Sequence, residues 1–269
     1  MRIGKKALMI AIHRLSCGYG SKPVLEGVTL DIPAGEVLCI LGRNGIGKTT
    51  LFRTLLGAIP PLSGAVLIGG RDLFSLSRRE RAERIAYVPQ SHTPPFAYSA
   101  MDVVLMGRSG RNTAFSPPSA LDRALASEAL ERLGVAALAK RDYTKISGGE
   151  RQLVLIARAL CQGSDFLLLD EPAAGLDIAN QIRVLRILRD LAAEGKGVVF
   201  TSHDPNHALL LDTQVAAIKP DGGLLTGKAA AALTADTTYA LYGIRTSSSE
   251  IFDEKGGRYV KTIVPYLDE

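Results

Sequence analysis

Glu36-Val37-Leu38-Cys39-Ile40-Leu41-Gly42-Arg43-Asn44-Gly45-Ile46-Gly47-Lys48-Thr49-Thr50 is the stretch that decides how this chain of 269 residues folds. Glu36–Leu41 is a short, nearly continuous apolar run, the pattern of a strand buried on both faces of a parallel sheet. Gly42–Thr49 fits G-x-x-x-x-G-K-[ST], and a helix is predicted from about Lys48 to Leu56. Glycines at that spacing let backbone N–H groups curl around phosphate oxygens, and the helix N-terminus behind them adds the positive end of its dipole. Lys48 has the reach for terminal phosphates, and the Thr49 hydroxyl suits Mg²⁺. A plain glycine turn between strand and helix is the competing reading. From average residue frequencies, however, the full pattern arises by chance in roughly 1% of chains this long.

Further along, Leu167-Leu168-Leu169-Asp170-Glu171-Pro172 ends an apolar strand (Phe166–Asp170) in two acids. Ligands of open α/β sheets bind at the carboxyl edge, so these carboxylates belong beside the phosphate loop. Asp170 is the candidate for holding Mg²⁺, and Glu171 for polarising an attacking water as general base. Capping of the next helix is the alternative use of such a pair. Between and around these motifs, Met9–Leu15 and Val24–Ile32 read as antiparallel strands about a turn at Gly18–Pro23. Gly64–Ile68, Ile85–Val88, Gly197–Ser202 and Gln214–Ile218 read as further strands, and Pro205–Leu211 as a helix. Ala179–Glu194 is an amphipathic helix, with Ile182, Leu185, Leu188 and Leu191 on one face and Arg183, Arg186 and Asp190 toward water. Strands alternating with helices predict a mainly parallel sheet covered on both faces.

Residues 91–160 differ in character. Pro94, Pro95, Pro117 and Pro118 stand among Phe96, Tyr98 and Phe115, and helical patterns follow at Met101–Met106, Leu121–Leu133 and Val135–Ala139. This predicts a helical lobe inserted into the α/β unit. The tail, 224–269, is less periodic; it is expected to pack on the sheet edge and to be too small for a regulatory domain.

Composition excludes several classes. Hydrophobic residues at 46% and charged residues at 22% are those of an ordinary globular protein. Mean hydropathy is +0.14, yet no apolar run approaches the ~18–20 residues of a spanning helix. Arg2, Lys5 and Lys6 before Ala7–Ile12 imitate an export leader, but the run is short, His13 and Arg14 interrupt it, and no small-residue cleavage site follows. Cys17, Cys39 and Cys161 are odd in number and far apart, which predicts buried thiols in a reducing compartment. The net charge of +5 is not concentrated: its densest run, Arg78–Arg84, alternates with Glu80 and Glu83 as a solvated helix face does. With no Trp and 6% aromatics, the basic and stacking residues of a nucleic-acid surface are missing.

Ile146-Ser147-Gly148-Gly149-Glu150-Arg151-Gln152 opens a helix that includes Leu153, Ile156 and Leu160. Ser-Gly-Gly at a helix N-terminus is a second anion-binding construction, and one ATP does not need two at opposite ends of one chain. Here the sequence resembles the ATP-binding cassette family over nearly its whole length. The resemblance implies an α/β fold, a P-loop NTPase with a mainly parallel core sheet, an antiparallel N-terminal β-subdomain and an inserted helical subdomain. It implies a single nucleotide-binding domain: about 1–90 and 161–223 as the core, about 91–160 as the helical subdomain, and 224–269 as a short C-terminal extension.

The family pattern also assigns roles. ATP and Mg²⁺ are the implied cofactors, with nucleotide contacts from Gly42, Arg43, Asn44, Gly45, Ile46, Gly47, Lys48, Thr49 and Thr50. Tyr19 falls where the family stacks an aromatic on adenine; a core tyrosine is the alternative. Gln90, in Tyr87-Val88-Pro89-Gln90, matches the glutamine that touches Mg²⁺ and leads into the helical lobe, against a simple turn residue. Thr49, Gln90 and Asp170 are thus the implied Mg²⁺ ligands, and Glu171, His203, Gln90 and Lys48 the catalytic set. Ser147, Gly148, Gly149 and Glu150 correspond to the signature that closes on the γ-phosphate held by a second copy. Ile146 and Glu150 depart from the usual LSGGQ while keeping the backbone and serine donors. Asp177, in Ala174-Gly175-Leu176-Asp177, matches the loop that contacts the partner, with Ala174 where serine is common. His203 and His207, with Asp204, also permit a metal-site reading.

Within the family, Pro94–Arg108 and Asp204-Pro205-Asn206-His207-Ala208 resemble importers of iron(III)–siderophore, haem, cobalamin and molybdate. The resemblance implies a homodimeric motor ATPase on the cytoplasmic face of the inner membrane, under a multi-helix permease fed by a substrate-binding protein. Iron(III)–siderophore is the leading cargo. An iron–sulfur assembly or DNA-repair ATPase, or a module that binds nucleotide without turnover, are the alternatives. Phe96, Tyr98 and Met101 offer apolar anchors for a permease helix, or else cap the lobe's own core.

Overall fold

The computed structural model describes residues 8–90, 96–110, 117–254 and 256–267. Pro94, Pro95 and Phe115 of the predicted lobe lie outside them. The chain opens with a long hairpin of β1 (Met9–Tyr19) and β2 (Lys22–Pro33), then β3 (Val37–Leu41), α1 (Lys48–Leu55), β4 (Ser63–Ile68), β5 (Arg71–Asp72), α2 (Arg78–Arg84) and β6 (Ile85–Val88). The helical part holds α3 (Ala100–Leu105), α4 (Ala120–Arg132) and α5 (Gly148–Gln162). Then follow β7 (Phe166–Leu169), α6 (Ile178–Ala193), β8 (Gly197–Ser202), α7 (Pro205–Leu211) and β9 (Gln214–Ile218). The C-terminal region is β10 (Leu224–Lys228), α8 (Ala229–Ala232), α9 (Ala235–Tyr242), β11 (Thr246–Asp253) and β12 (Arg258–Pro265).

Two sheets organise these elements. An antiparallel sheet has the order β2-β1-β4-β5, and a six-stranded sheet the order β10-β9-β3-β8-β7-β6. In the second sheet β9, β3, β8, β7 and β6 run parallel, and β10 alone pairs antiparallel at the edge. Its parallel strands are buried on both faces, as their unbroken apolar runs predict. Cys39, Leu41, Leu167, Leu169, Val198 and Phe200 enter one core with α3, α4, α5 and α6. Leu38, Ile40, Phe166, Leu168 and Val199 enter a second core with α1 and the antiparallel sheet.

Three differences from the sequence expectation have physical causes. The first hairpin runs well beyond Leu15 and Val24, to Tyr19 and back from Lys22. A bulge between Ile12 and Leu15, with Arg14 at φ 43°, shifts the alternation out of phase and hides the continuing strand. Val135–Ala139 forms only a 3₁₀ turn at Ala136–Leu138, too short for an α-helix. The tail does not merely pack on the sheet edge. It adds β10 to the sheet and then lays the β11–β12 hairpin against α7. Cys17, Cys39 and Cys161 are buried free thiols, as expected.

A buried ion pair organises the helical part. Arg108 Nε lies 2.8 Å from Asp122 Oδ1, and its Nη1 donates to the Cys161 carbonyl at 3.1 Å. One guanidinium therefore joins the end of α3, the first turn of α4 and the end of α5. Directly before it, Gly107 lies so close to α5 that a Cβ would collide with the Arg158 carbonyl. Gly107→Ala should therefore destabilise the protein by about 1–3 kcal/mol, whereas Gly110→Ala should stay within about 0.5 kcal/mol. Thermal unfolding of the two variants checks the difference.

Candidate functional site

Parallel pairing fixes which residues meet. Leu41 is in register with Ser202, Leu169 with Phe200, and Val88 with Leu169, so four strands end at one edge. The residues that follow are Gly42 after β3, His203 after β8, Asp170 and Glu171 after β7, and Pro89-Gln90 after β6. Asn44, Gly45, Gly47, Lys48, Thr49, Thr50, Gln90, Asp170 and Glu171 line one cavity of about 300 Å³ there.

The loop reaches this edge because glycine permits its turns. Gly47, the residue before α1, has φ 116°, and a Cβ on it would press to 2.8 Å from Val24. Lys48 is nearly buried and folds back, its ammonium donating to the Gly42 carbonyl at 2.7 Å and the Arg43 carbonyl at 3.3 Å. The same ammonium lies 3.2 Å from Glu171 Oε1. On the other side of that carboxylate, His203 Nδ1 lies 2.6 Å from Oε2. Lys48, Glu171 and His203 thus form a continuous polar chain, of which Lys48 and Glu171 line the cavity. Glu171 has φ 49°, a conformation that non-glycine residues rarely adopt and that functional sites retain at a cost of about 1–3 kcal/mol.

Asp170 is fixed separately. Its Oδ1 accepts from the Thr201 hydroxyl (2.7 Å), and its Oδ2 from the Thr49 hydroxyl (3.2 Å) and the Tyr87 phenol (3.4 Å). The Thr201 hydroxyl also accepts the Glu171 backbone N–H at 2.8 Å, so one residue orients both acids. Burial, helped by the Asp170 charge, pushes the Tyr87 phenol up to about 12, which keeps it a neutral donor to the carboxylate. The oxygens of Thr49 and Asp170, with Gln90 at the same cavity, are the hard donors that Mg²⁺ takes.

The other predicted residues lie around this centre. Tyr19 is half-exposed, its Oη accepting from Arg53 of α1 at 3.0 Å. That exposure departs from the core-tyrosine alternative. Ile46 packs against the core below the loop, and Arg43 is exposed. Ser147 caps α5, and Ser147–Glu150 are outside the residues lining the cavity. The Glu150 carboxylate takes the Ser147 N–H at 2.8 Å, while the serine hydroxyl proton and the glycine N–H groups are left as donors. Asp177 caps α6 through Asn180, whose side chain packs so closely on Gly149 that a Cβ there would lie 2.8 Å away. The signature and the Asp177 loop therefore form one surface. His203 precedes α7 while His207 is buried within it, bonded to Ser202 Oγ at 3.0 Å, and burial lowers its pKa. Among the described residues no group of three His, Cys, Asp or Glu could hold a metal ion, and the paired-histidine reading is dropped.

Comparison with known proteins accords with this geometry. A family model described as ABC transporter matches residues 25–174. The chain belongs to the ABC transporter family. It is 37% identical to an uncharacterized ABC transporter ATP-binding protein of Haemophilus influenzae, over 90% of this chain and 91% of that one. It is 38% identical to the hemin import ATP-binding protein HmuV of Thermobifida fusca, over 84% and 82% of the two chains. Other relatives are named as import ATP-binding proteins for molybdate, cobalamin and iron(3+)-hydroxamate. Among solved structures, a metal-chelate type ABC transporter in an inward-facing conformation matches with TM-score 0.86 and 33% identity, covering 97% of this chain and 98% of that one. ABC ATP-binding subunits are ATPases, and this chain is one. Among the described residues no helix is long and apolar enough to cross a membrane.

Thr201 and Tyr87 complete this ABC site, and the sequence reading gave neither a role. Thr201 carried a usable signal: a hydroxyl near the end of the fully buried run Gly197–Ser202 must find a partner inside.

Proposed function

We propose that this chain is the ATP-hydrolysing motor of an importer of metal chelates, working as a homodimer beneath a membrane permease. The observation that carries the hydrolytic part is the placement of Glu171, which lines the cavity, between Lys48 and His203. In this account the loop N–H groups and Lys48 hold the β- and γ-phosphates, and Tyr19 stacks on the adenine. The phosphates draw Lys48 away from Glu171, which frees the carboxylate to take a proton from the attacking water. Water adds to the γ-phosphorus as the bond to the ADP oxygen breaks, and His203 orients the γ-phosphate. Thr49, Asp170 and Gln90 would hold Mg²⁺, which supplies charge neutralisation across the phosphates. Ser147, Gly148 and Gly149 of a second copy close the site from outside, consistent with their position away from the cavity of their own chain.

Removing a positioned general base typically costs ~10²–10⁴ in rate. Glu171→Gln should bind ATP, hydrolyse it that much more slowly and accumulate as a dimer. Wild-type turnover in this variant would remove Glu171 from the role.

The importer part rests on the relatives' names and on the helical surface. Iron(III)–siderophore remains the preferred cargo; haem, cobalamin and molybdate are the other candidates. The two uses foreseen for Phe96, Tyr98 and Met101 divide between them. Tyr98 and Met101 pack against the helical core, whereas Phe96 is 68% exposed, edge-on to Tyr98 at 6.2 Å. Phe96 is therefore the anchor offered to a short permease helix. Phe96→Ala should weaken co-purification with the permease and lower uptake in cells while basal ATPase activity stays within about twofold, as surface truncations leave folding intact. Unchanged association and uptake would contradict the docking role.

A further inference from the structure

His203 is half-exposed, and its ring is held by the contact with Glu171. Its position otherwise depends on the backbone, which turns directly into α7. Within that turn the Asp204 N–H donates to Ser202 Oγ (3.0 Å), and the Asp204 carboxylate caps α7 by accepting the Asn206 N–H (2.8 Å). His207 within α7 also bonds Ser202 Oγ at 3.0 Å, and a further tie comes from far along the chain. Asn206 Oδ1 accepts the Ile263 N–H at 2.8 Å and the Thr262 hydroxyl at 3.1 Å, while Nδ2 donates to the Ile263 carbonyl at 3.1 Å.

The geometry of this contact is that of a strand pair. Ile263 stands opposite Ser248 in the β11–β12 ladder, and both of its backbone groups turn away from β11 toward Asn206. The side-chain amide thus takes the place that the peptide of a third strand would occupy. Only an amide offers donor and acceptor at that spacing. The hairpin is itself anchored: Thr238 of α9 and Thr246 of β11 share a buried hydroxyl contact of 2.6 Å, and Lys261 donates to the Ala230 carbonyl. Beside the clasp, Pro205, Asn206, Tyr242, Ile244 and Ile263 border a cavity of about 370 Å³ that His203 also lines. Close packing is therefore interrupted there, and the polar clasp carries more of the hold on the first turn of α7.

We propose that Asn206 is a positioning residue, through which the C-terminal hairpin holds His203 in line with Glu171 and the γ-phosphate. This rests on the reading that His203 orients the γ-phosphate. It gives the C-terminal region a part in turnover, although none of its residues lines the phosphate cavity.

Steady-state ATP hydrolysis by the full-length chain tests it, with His203→Ala, Asn206→Ala, the double variant, Asn206→Asp and Thr262→Val. Misplacing a catalytic group by about 1 Å can cost as much as ~10²-fold, so Asn206→Ala should lower kcat by roughly 10- to 100-fold with KM for ATP within about twofold. Asn206→Asp keeps both acceptor contacts but sets an anionic oxygen against the Ile263 carbonyl in place of the Nδ2 donor, so it too should fall below wild type. The double variant should be no slower than His203→Ala alone, because the clasp acts through the histidine. If Asn206→Ala does not fold, Thr262→Val removes one bond from the hairpin side and should lower kcat alone. Wild-type kcat in the folded clasp variants, or an additive loss in the double variant, overturns the proposal while a slow His203→Ala leaves the histidine reading standing. Full activity in His203→Ala overturns both.

Discussion

The parallel register of β3, β8, β7 and β6 is the constraint on which the site depends. It brings Gly42, His203, the acids and Gln90 to one edge, although they come from parts of the sequence far apart. A slip of one residue in any of these strands would exchange the two faces of a strand buried on both sides, and would turn its terminal residue away from the cavity. The two cores enforce the register: Leu38 and Ile40 belong below the sheet, Cys39 and Leu41 above it.

That arrangement gathers charge in a place with little water. Lys48, Asp170 and Glu171 are all nearly buried, and a buried charge stripped of its partner costs about 3–5 kcal/mol. The structure resolves this by division. Asp170 is satisfied by hydroxyl groups alone, from Thr201, Thr49 and Tyr87, and so needs no counter-charge from Lys48. Glu171 takes the lysine and the histidine. Two neighbouring carboxylates thereby have different surroundings, one held by hydroxyl groups and one by an ammonium and an imidazole.

Much of this was legible in the sequence because local rules govern it. The phosphate loop, the strand ending in Asp170-Glu171 and the helix opened by Ser147 each declare themselves within a few residues. The parallel sheet followed from their alternation. What was not legible depends on register or on distant pairing. The bulge near Arg14 concealed the turn end of the first hairpin. The Thr201 and Tyr87 hydroxyl groups gain meaning only once β8, β7 and β6 lie side by side. The capping contact of Glu150 with the Ser147 N–H is a matter of rotamer. The Asn206 clasp joins α7 to a strand in a tail whose sequence alternates weakly, and nothing near either residue announces the other.

In the proposed homodimer each cavity hydrolyses ATP only when a second chain brings its Ser147 end to it. Mixing a Ser147→Arg chain with a Lys48→Ala chain and measuring ATP hydrolysis tests this most directly. Each mixed dimer would hold one site with both lesions and one intact site, so random pairing predicts recovery to roughly a quarter of the wild-type rate from two nearly inactive preparations. No recovery in the mixture, with wild-type hydrolysis proceeding at full rate in isolated monomers, would contradict it.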